Sequence, residues 1–553
     1  MNKTLKIAII VDDVLISDYL SELIIWSKSI DSIDISNYLY LVSDEKNESL
    51  KKSRLQKMFS LSFWKEYPKR KFKNFIFSFE KKRNLKNNKI HRNSINKHDI
   101  NTFDLKKIEV YPQSTRSKFS FKASDSSINK IKEEEFDLLL RFNKKIIRGE
   151  LLTITNFGVI SMHHGSDLNY RGGPSGFWEV YNSDNKSGYI IQQLTEELDN
   201  GNILFRGFIS TQKSWLLNKA ELNLRSFFYL KKLIIEISKT FNLPKFLVNY
   251  PYSKNLNTDP TISEMIKYLF RKYKNKQESK KFKNAGNRYL VGYQETEWGS
   301  LNYRNANFID NPENKFLADP FIISKNNKNY CFLESYDYLL DKGTIDVFEL
   351  TKNNSHFLGT AIEEEFHLSF PYLFETENEI YLIPESSKNR DIRIYKSTEF
   401  PLKWKLEKVI IDDIDASDSI ILYHDNLWWL LTNVDELGLG DHNYQMNIYY
   451  SNNLLSKDWK PHKLNPVILN PSYGRNGGFL KKDENLFRVA QKYGFNQKYG
   501  EGITIRKIQE LTKDSYAEEE IASYDNFYSD SILGSHHLAS NNVFTVFDIW
   551  KSP

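Results

Sequence analysis

The hydrophobic rhythm of this 553-residue chain changes about half way along. Up to about residue 250, continuous apolar runs alternate with stretches at helical spacing. "LKIAIIV" at 5–11 has the pattern of a strand covered on both faces of a parallel sheet. "SDYLSELIIWSKSI" follows with apolar residues at helical spacing behind Ser17, a helix with its N-cap. "FDLLLRFN" at 136–143 and "FGVISMHH" at 157–164 predict two more buried strands, with a short helix-like "GELLTIT" between them. "GYIIQQLTEELDNGNILFRG" then predicts a strand and a turn, and "KAELNLRSFFYLKKLIIEISKTF" a long amphipathic helix. This alternation predicts a Rossmann-like α/β domain over residues 1–250.

Residues 251–289 combine Pro and Asn turns, an amphipathic "EMIKYLFRKYKNK" and a basic run, and they predict a linker. From 290 the pattern becomes short aromatic and β-branched runs separated by Asn, Asp, Gly and Lys turns, an all-β arrangement. It also repeats. "FLADPFIISKNNKNYCFLES" and "FHLSFPYLFETENEIYLIPES" superpose with Pro320 on Pro371, each a strand, a polar turn, an aromatic strand and a closing Glu-Ser. "DASDSIILYHDNLWWLLTN" and "RNGGFLKKDENLFRVAQKY" are looser copies, and "GSHHLASNNVFTVFDIW" ends the series. A period near fifty with several strands per unit predicts a β-propeller. Five blades are expected over 290–553, the last shared between "RYLVGYQETEWGSL" and the final strand.

Composition narrows the function classes. Aromatic residues are abundant, with Phe 37, Tyr 32 and Trp 10, which suits sheets and sugar-facing surfaces. Cys331 is the single cysteine, so no internal disulfide forms, and a cytoplasmic setting is expected. The first apolar run meets Asp12 and Asp13 too soon for a signal peptide, and no stretch has the eighteen or so apolar residues of a membrane span. A basic insertion is expected over about 51–130. Within it, residues 51–97 hold sixteen Lys/Arg against Glu66 and Glu80. That segment reads either as a solvated insertion or, with its interleaved aromatics, as a peripheral contact with acidic partners or with the anionic lipid of an inner membrane. No nucleic-acid partner is expected. There is no phosphate-loop or zinc-helix motif, and no metal site is expected.

In open α/β sheets ligands sit beyond the carboxyl ends of the strands, which marks Arg141, Asn143, His163 and His164 as candidates. The stretch "SMHHGSDLNYRGG" and, downstream, "SGYIIQQL" and "LDNGNIL" resemble the core of the folate-dependent formyltransferases. The family's pattern is Asn-x-His, a Tyr-Arg-Gly turn and Leu-Asp-x-Gly-x-Ile-Leu. The resemblance implies formyl transfer from 10-formyltetrahydrofolate to an amino group of a sugar or glycan precursor, in bacterial polysaccharide biosynthesis. It implies His163 as proton shuttle and Asp199 as the carboxylate that orients it, because an attacking amine must lose a proton near neutral pH. Tyr170, Arg171, Gly172, Gln193 and Gly201 are expected around the substrate or cofactor. Ser161 stands where the family has the asparagine that holds the developing oxyanion, and removing such a donor costs about 2.7–4 kcal/mol. Either Ser161 serves in part, or His164 or a backbone N–H takes over, or the formyl transfer has been lost or altered.

The propeller resembles five-bladed domains of furanosidase-type glycoside hydrolases and a related domain of glycosyltransferases of sphingolipid glycosylation. "ADPF" at 318–321, "PES" at 384–386 and "SDS" at 417–419 fall where those proteins put carboxylates, facing a central funnel. Asp319, Glu334, Glu385 and Asp418 are the expected glycan site. Blade-edge acids that pair with turn amides, glycan binding and hydrolysis by two carboxyls are the three readings of that set. The alternative to formyl transfer is a glycan-binding or glycan-hydrolysing protein whose first domain is a degenerate scaffold.

Overall fold

The computed structural model describes residues 3–42, 61–85, 88, 91, 94–115, 117, 119–165, 170, 172–197, 200–249, 256–284, 289–377, 379–495, 498–525 and 532–551. The chain divides into two units, residues 1–273 and 274–553.

The first unit is built on a seven-stranded sheet: β1 (Leu5–Val11), β2 (Ile33–Leu41), β3 (Lys106–Val110), β4 (Leu138–Arg141), β5 (Val159–His164), β6 (Lys186–Gln193) and β7 (Asn202–Ser210). Their order is β7-β6-β5-β4-β1-β2-β3, parallel from β5 to β3 with β6 and β7 added antiparallel. Residues 5 and 7–11 are all buried, which explains why the run is apolar without alternation. Helix α1 (Asp18–Ser27) is capped by Ser17, whose hydroxyl accepts from the Leu20 amide at 3.3 Å. Next come α2 (Leu61–Glu80), α3 (Asp125–Glu133), α4 (Phe177–Asn182) and α5 (Trp215–Thr240). Leu222, Leu230, Ile234 and Ile237 of α5 are at most 1% exposed, the apolar stripe of a helix laid on β5, β6 and β7.

Two expectations need correction here. The basic insertion is narrower than 51–130, because Lys106–Val110 pairs with β2 as an edge strand of the main sheet. The stretch read as a linker carries a 23-residue helix, α6 (Ile262–Asn284), that runs across the division between the units. The amphipathic stretch at 264–276 is the centre of this helix, which tertiary contacts hold on one side.

In the second unit five antiparallel sheets follow one another. The blades begin at Lys315, Ser369, Ala416 and Arg475, and the fifth joins Tyr289–Gln294 to Thr545–Lys551. The first strands of neighbouring blades touch in sequence around the ring. The repeat has a backbone cause. Each first strand breaks register at the same place, between Ala318 and Phe321, Ser369 and Tyr372, Ser417 and Ile420, and Asn476 and Gly478. Inside three of these bulges Asp319, Phe370 and Asp418 adopt left-handed φ of 49°, 46° and 48°. Aspartate tolerates that conformation better than most residues, and a bulge re-aims the side chain it carries. The repeated bulge thus re-aims one side chain at the same step of three blades, and all three of these side chains are buried.

Candidate functional site

Among the described residues, the propeller's axial pocket gathers a dense set of charged and aromatic side chains. A cavity of about 400 Å³ is walled by Tyr289, Phe316, Tyr499 and Trp550 and carries Asp319, Glu334, Glu385, His367, Ser369, Arg475 and His536 on its remaining surface. Three of the four sequence-predicted acids line it directly, and Asp418 lies behind them against Arg475.

Charges in this pocket are ordered in pairs. His536 Nε2 lies 3.2 Å from Asp319 Oδ1 and its Nδ1 2.9 Å from Asp548 Oδ1. The Asp548 carboxylate also accepts the His536, His537 and Asp319 amides at 3.0, 3.1 and 3.2 Å. Burial alone would lower the imidazole's pKa, but Asp548 and Asp319 outweigh it and lift His536 to about 10. Burial alone would raise Asp319, and the His536 charge, with His537 and Arg475 behind it, holds that carboxyl below its ordinary range. Glu334 is shifted the other way. Burial and the charges of Asp319 and Glu385 push it well above the usual carboxylate range, with His367 Nε2 3.6 Å away.

Arg475 closes the opposite side. Its Nε donates to Asp418 Oδ2, its Nη1 to Asn443 Oδ1 and Tyr493 Oη at 3.2 Å each, and its Nη2 lies 3.9 Å from Glu385. Asp418 is raised to about 7, burial and the neighbouring acids prevailing over Arg475. The pocket therefore offers an ionised carboxylate, a neutral carboxyl able to donate a hydrogen bond, two fixed cations and aromatic faces. Widely separated carboxyl pKa values in one site are the arrangement acid–base chemistry uses.

Sequence reasoning missed Arg475, His536, Asp548, Tyr289 and Trp550. "SHH" and "FDIW" in the last repeat were the available signal, since charged residues inside an otherwise apolar inner strand mark a buried pair.

In the first unit a second cavity, about 740 Å³, opens beyond the ends of β4 and β5. Arg141, Ser161, His163, Gly172 and Gly201 line it, together with Lys144, Arg148 and Gln192. Both glycines are required by close approach: a Cβ would sit 2.1 Å from the Asn257 carbonyl oxygen at Gly172 and 2.7 Å from that of Gln193 at Gly201. Asp199 and Arg171 lie outside the described residues.

Other expected site residues serve the fold instead. Asn143 donates its amide to the Lys145 carbonyl at 2.7 Å. Gln193 donates to Phe157 O at 3.1 Å and accepts from Asn202, while Gln192, on the opposite face of β6, reaches the cavity. His164 turns to α5, where Nε2 meets Ser226 Oγ at 2.8 Å; burial, then His163 and Lys219, lowers it to about 3, so it is neutral. The Tyr170 hydroxyl donates to Asp184 and accepts from Asn182. Ser161 Oγ makes long contacts, 3.4 Å from Arg141 Nη1 and 3.5 Å to Met162 O, and lines the cavity.

Residues 304–531 match the family described as "Glucosamine inositolphosphorylceramide transferase 1, N-terminal". The chain is 40% identical over 213 residues to glucosamine inositolphosphorylceramide transferase 1 of Arabidopsis thaliana, which covers 37% of this chain and 27% of that protein. It spans about a quarter of the length of the curated relatives it matches. A methionyl-tRNA formyltransferase of Borrelia duttonii (strain Ly) is 38% identical over 78 residues, 14% of this chain and 25% of that protein. Among solved structures, a family 117 glycoside hydrolase of Zobellia galactanivorans has a TM-score of 0.32 at 14% identity, covering 48% of this chain and 91% of that one.

These findings overturn the expected reaction. The extended sequence similarity is to plant transferases named for a sphingolipid, and the sequence match to the methionyl-tRNA formyltransferase covers 78 residues. Formyl transfer to a sugar amine, 10-formyltetrahydrofolate as donor and the bacterial polysaccharide setting are withdrawn with it. The missing oxyanion amide at Ser161 agrees with that correction.

Proposed function

We propose that this chain is a transferase acting on glycoconjugates and that the axial pocket of its propeller receives the sugar, a hexosamine carried on a glycolipid head group. The observation that carries the reading is a neutral Glu334 set beside an ionised Asp319 in one aromatic-walled cavity, Glu334 lying opposite Ala318 in the ladder. A sugar presents hydroxyls that both donate and accept, and its C–H face stacks on aromatic rings. Asp319 accepts from such a hydroxyl, and protonated Glu334 donates to a hydroxyl or glycosidic oxygen. With Glu334 neutral, the carboxylates of Asp319, Asp548 and Glu385 still outnumber the two cations they face, His536 and Arg475. An anionic phosphate is disfavoured there and an ammonium-bearing sugar is favoured. The name of the Arabidopsis relative supports the same class of ligand.

Calorimetry on the full chain tests this with glucosamine, N-acetylglucosamine and inositol phosphate. Glucosamine is expected to bind most tightly, and Trp550→Ala and Glu334→Ala to weaken it at least about tenfold. Absence of binding by either sugar, or binding indifferent to both substitutions, overturns the proposal.

A further inference from the structure

Helix α6 turns one face to the first unit and leaves another uncovered. Met265 and Tyr268 are each 1% exposed. The Tyr268 hydroxyl donates to Glu80 and accepts from the Trp215 amide at 2.9 Å, and Lys272 Nζ pairs with the same Glu80 at 2.6 Å. These contacts fix the helix's rotation. Ile262, Ile266, Phe270 and Tyr273 are then left 39, 54, 75 and 62% exposed. At about 100° per residue, their spacing gathers all four within an arc of about 80°. Lys267 lies beside that arc, while Arg271, further round the helix, donates to the Tyr181 carbonyl and stacks on its ring at 4.4 Å. Over its whole length the helix has eight Lys/Arg against Glu264 and Glu278.

Helix α2, which ends at the same Glu80, repeats the chemistry. Tyr67, Phe75 and Phe79 are 39, 62 and 43% exposed. Lys71 Nζ lies 5.5 Å above the Tyr67 ring and the Arg83 guanidinium 5.7 Å above that of Phe79. Cations held over uncovered aromatic rings are the composition of a surface that enters the head-group layer of an anionic bilayer. No helix among the described residues is long and apolar enough to cross a membrane, so the contact is an interfacial one.

We propose that the uncovered faces of α6 and α2 seat the protein on an anionic lipid surface. The lipid is chosen over a protein partner because bulky apolar residues and fixed positive charge occur together on both helices, and a bilayer of acidic lipid complements both at once. Sequence reasoning had placed such a contact in 51–97 alone; the four-residue stripe of α6 lies in what read as a linker. The inference does not depend on the ligand of the propeller.

The test is co-sedimentation of the full chain with vesicles of phosphatidylcholine alone and with about 30% phosphatidylserine. Binding is expected only to the second, and raised salt weakens it as screening shortens the reach of the charges. Ile266→Glu with Phe270→Glu is expected to weaken it at least about tenfold while leaving circular dichroism and the melting temperature unchanged, since both side chains are exposed. Phe270→Trp should shift its emission to the blue on anionic vesicles. No association with anionic vesicles, or equal association by the double variant, overturns the proposal. So does a dimer in analytical ultracentrifugation that the double variant dissolves without any vesicle binding, because a second copy then covers the face.

Discussion

Replacing His536 by glutamine removes a charge that two buried carboxylates share. The side chain is 4% exposed, and its ring nitrogens lie 3.2 and 2.9 Å from Asp319 and Asp548. Its pKa rises from an ordinary 6.5 to about 10 on folding. At 1.36 kcal/mol per unit, the surroundings favour the imidazolium by about 5 kcal/mol. That agrees with the roughly 3–5 kcal/mol that breaking a buried ion pair costs. The folded pKa lies above the unfolded one, so the contribution is complete below pH 6.5 and is lost as pH climbs towards 10. Urea titrations of the full chain, with pulse proteolysis and mass spectrometry to identify the surviving propeller fragments, measure the unit's stability at pH 6, 7.5 and 9. His536→Gln is expected to destabilise the propeller by about 3–5 kcal/mol at pH 6, and the difference from the parent should shrink steadily by pH 9. A loss below about 1 kcal/mol at pH 6, or parallel pH curves for parent and variant, would refute the charge assignment.

His164 works with the opposite sign. It is buried neutral with a folded pKa of about 3, so the unfolded chain takes up a proton that the folded one refuses, and stability should fall as pH drops from 6.5 towards 3; His164→Gln should flatten that part of the first unit's pH–stability curve. Glu80→Gln leaves Lys272 without its carboxylate and weakens the acceptor for the Leu216 amide and the Tyr268 hydroxyl. It should cost the first unit about 3–5 kcal/mol in chemical denaturation, and a value within 0.5 kcal/mol of the parent, about the scatter of surface substitutions, would contradict the burial of that charge.

The strands most legible in the sequence are those whose environment is uniform. β1 is apolar from Ile7 to Val11 because both faces are covered there, and Pro320 aligns with Pro371 because the same bulge recurs at the same step of successive blades. What escaped detection depended on register or on distant partners. Gln192 and Gln193 are chemically identical neighbours, and only the pairing of Ser161 with Gln192 across the ladder decides which one faces the cavity. His163 and His164 are separated in the same way by the two-residue period of a strand, one on the cavity side and one against α5. Arg475, His536 and Asp548 sit in the repeats that depart furthest from the pattern, so their convergence on Asp319 and Asp418 could not be read from spacing. α6 showed in the sequence as the amphipathic stretch at 264–276, but its length and the buried tyrosine and shared carboxylate that hold it in place did not.

The fifth blade has a consequence for the order of events during folding. Tyr289–Gln294 pairs with Thr545–Lys551 in six consecutive steps, from Tyr289 opposite Trp550 to Gln294 opposite Thr545. That one ladder spans the whole propeller sequence, so the entropy of bringing its two strands together is the largest of any strand pair in the unit. Tyr289, His536, Asp548 and Trp550, half the wall and one side of the charge relay, reach Asp319 only through that seam. Four finished blades without it would carry Arg475, Glu334 and Glu385 but no imidazolium to set the ionisation of Asp319. Competence of the pocket is thus withheld until the ring is shut, and any ligand that binds only the shut ring stabilises that last step of assembly.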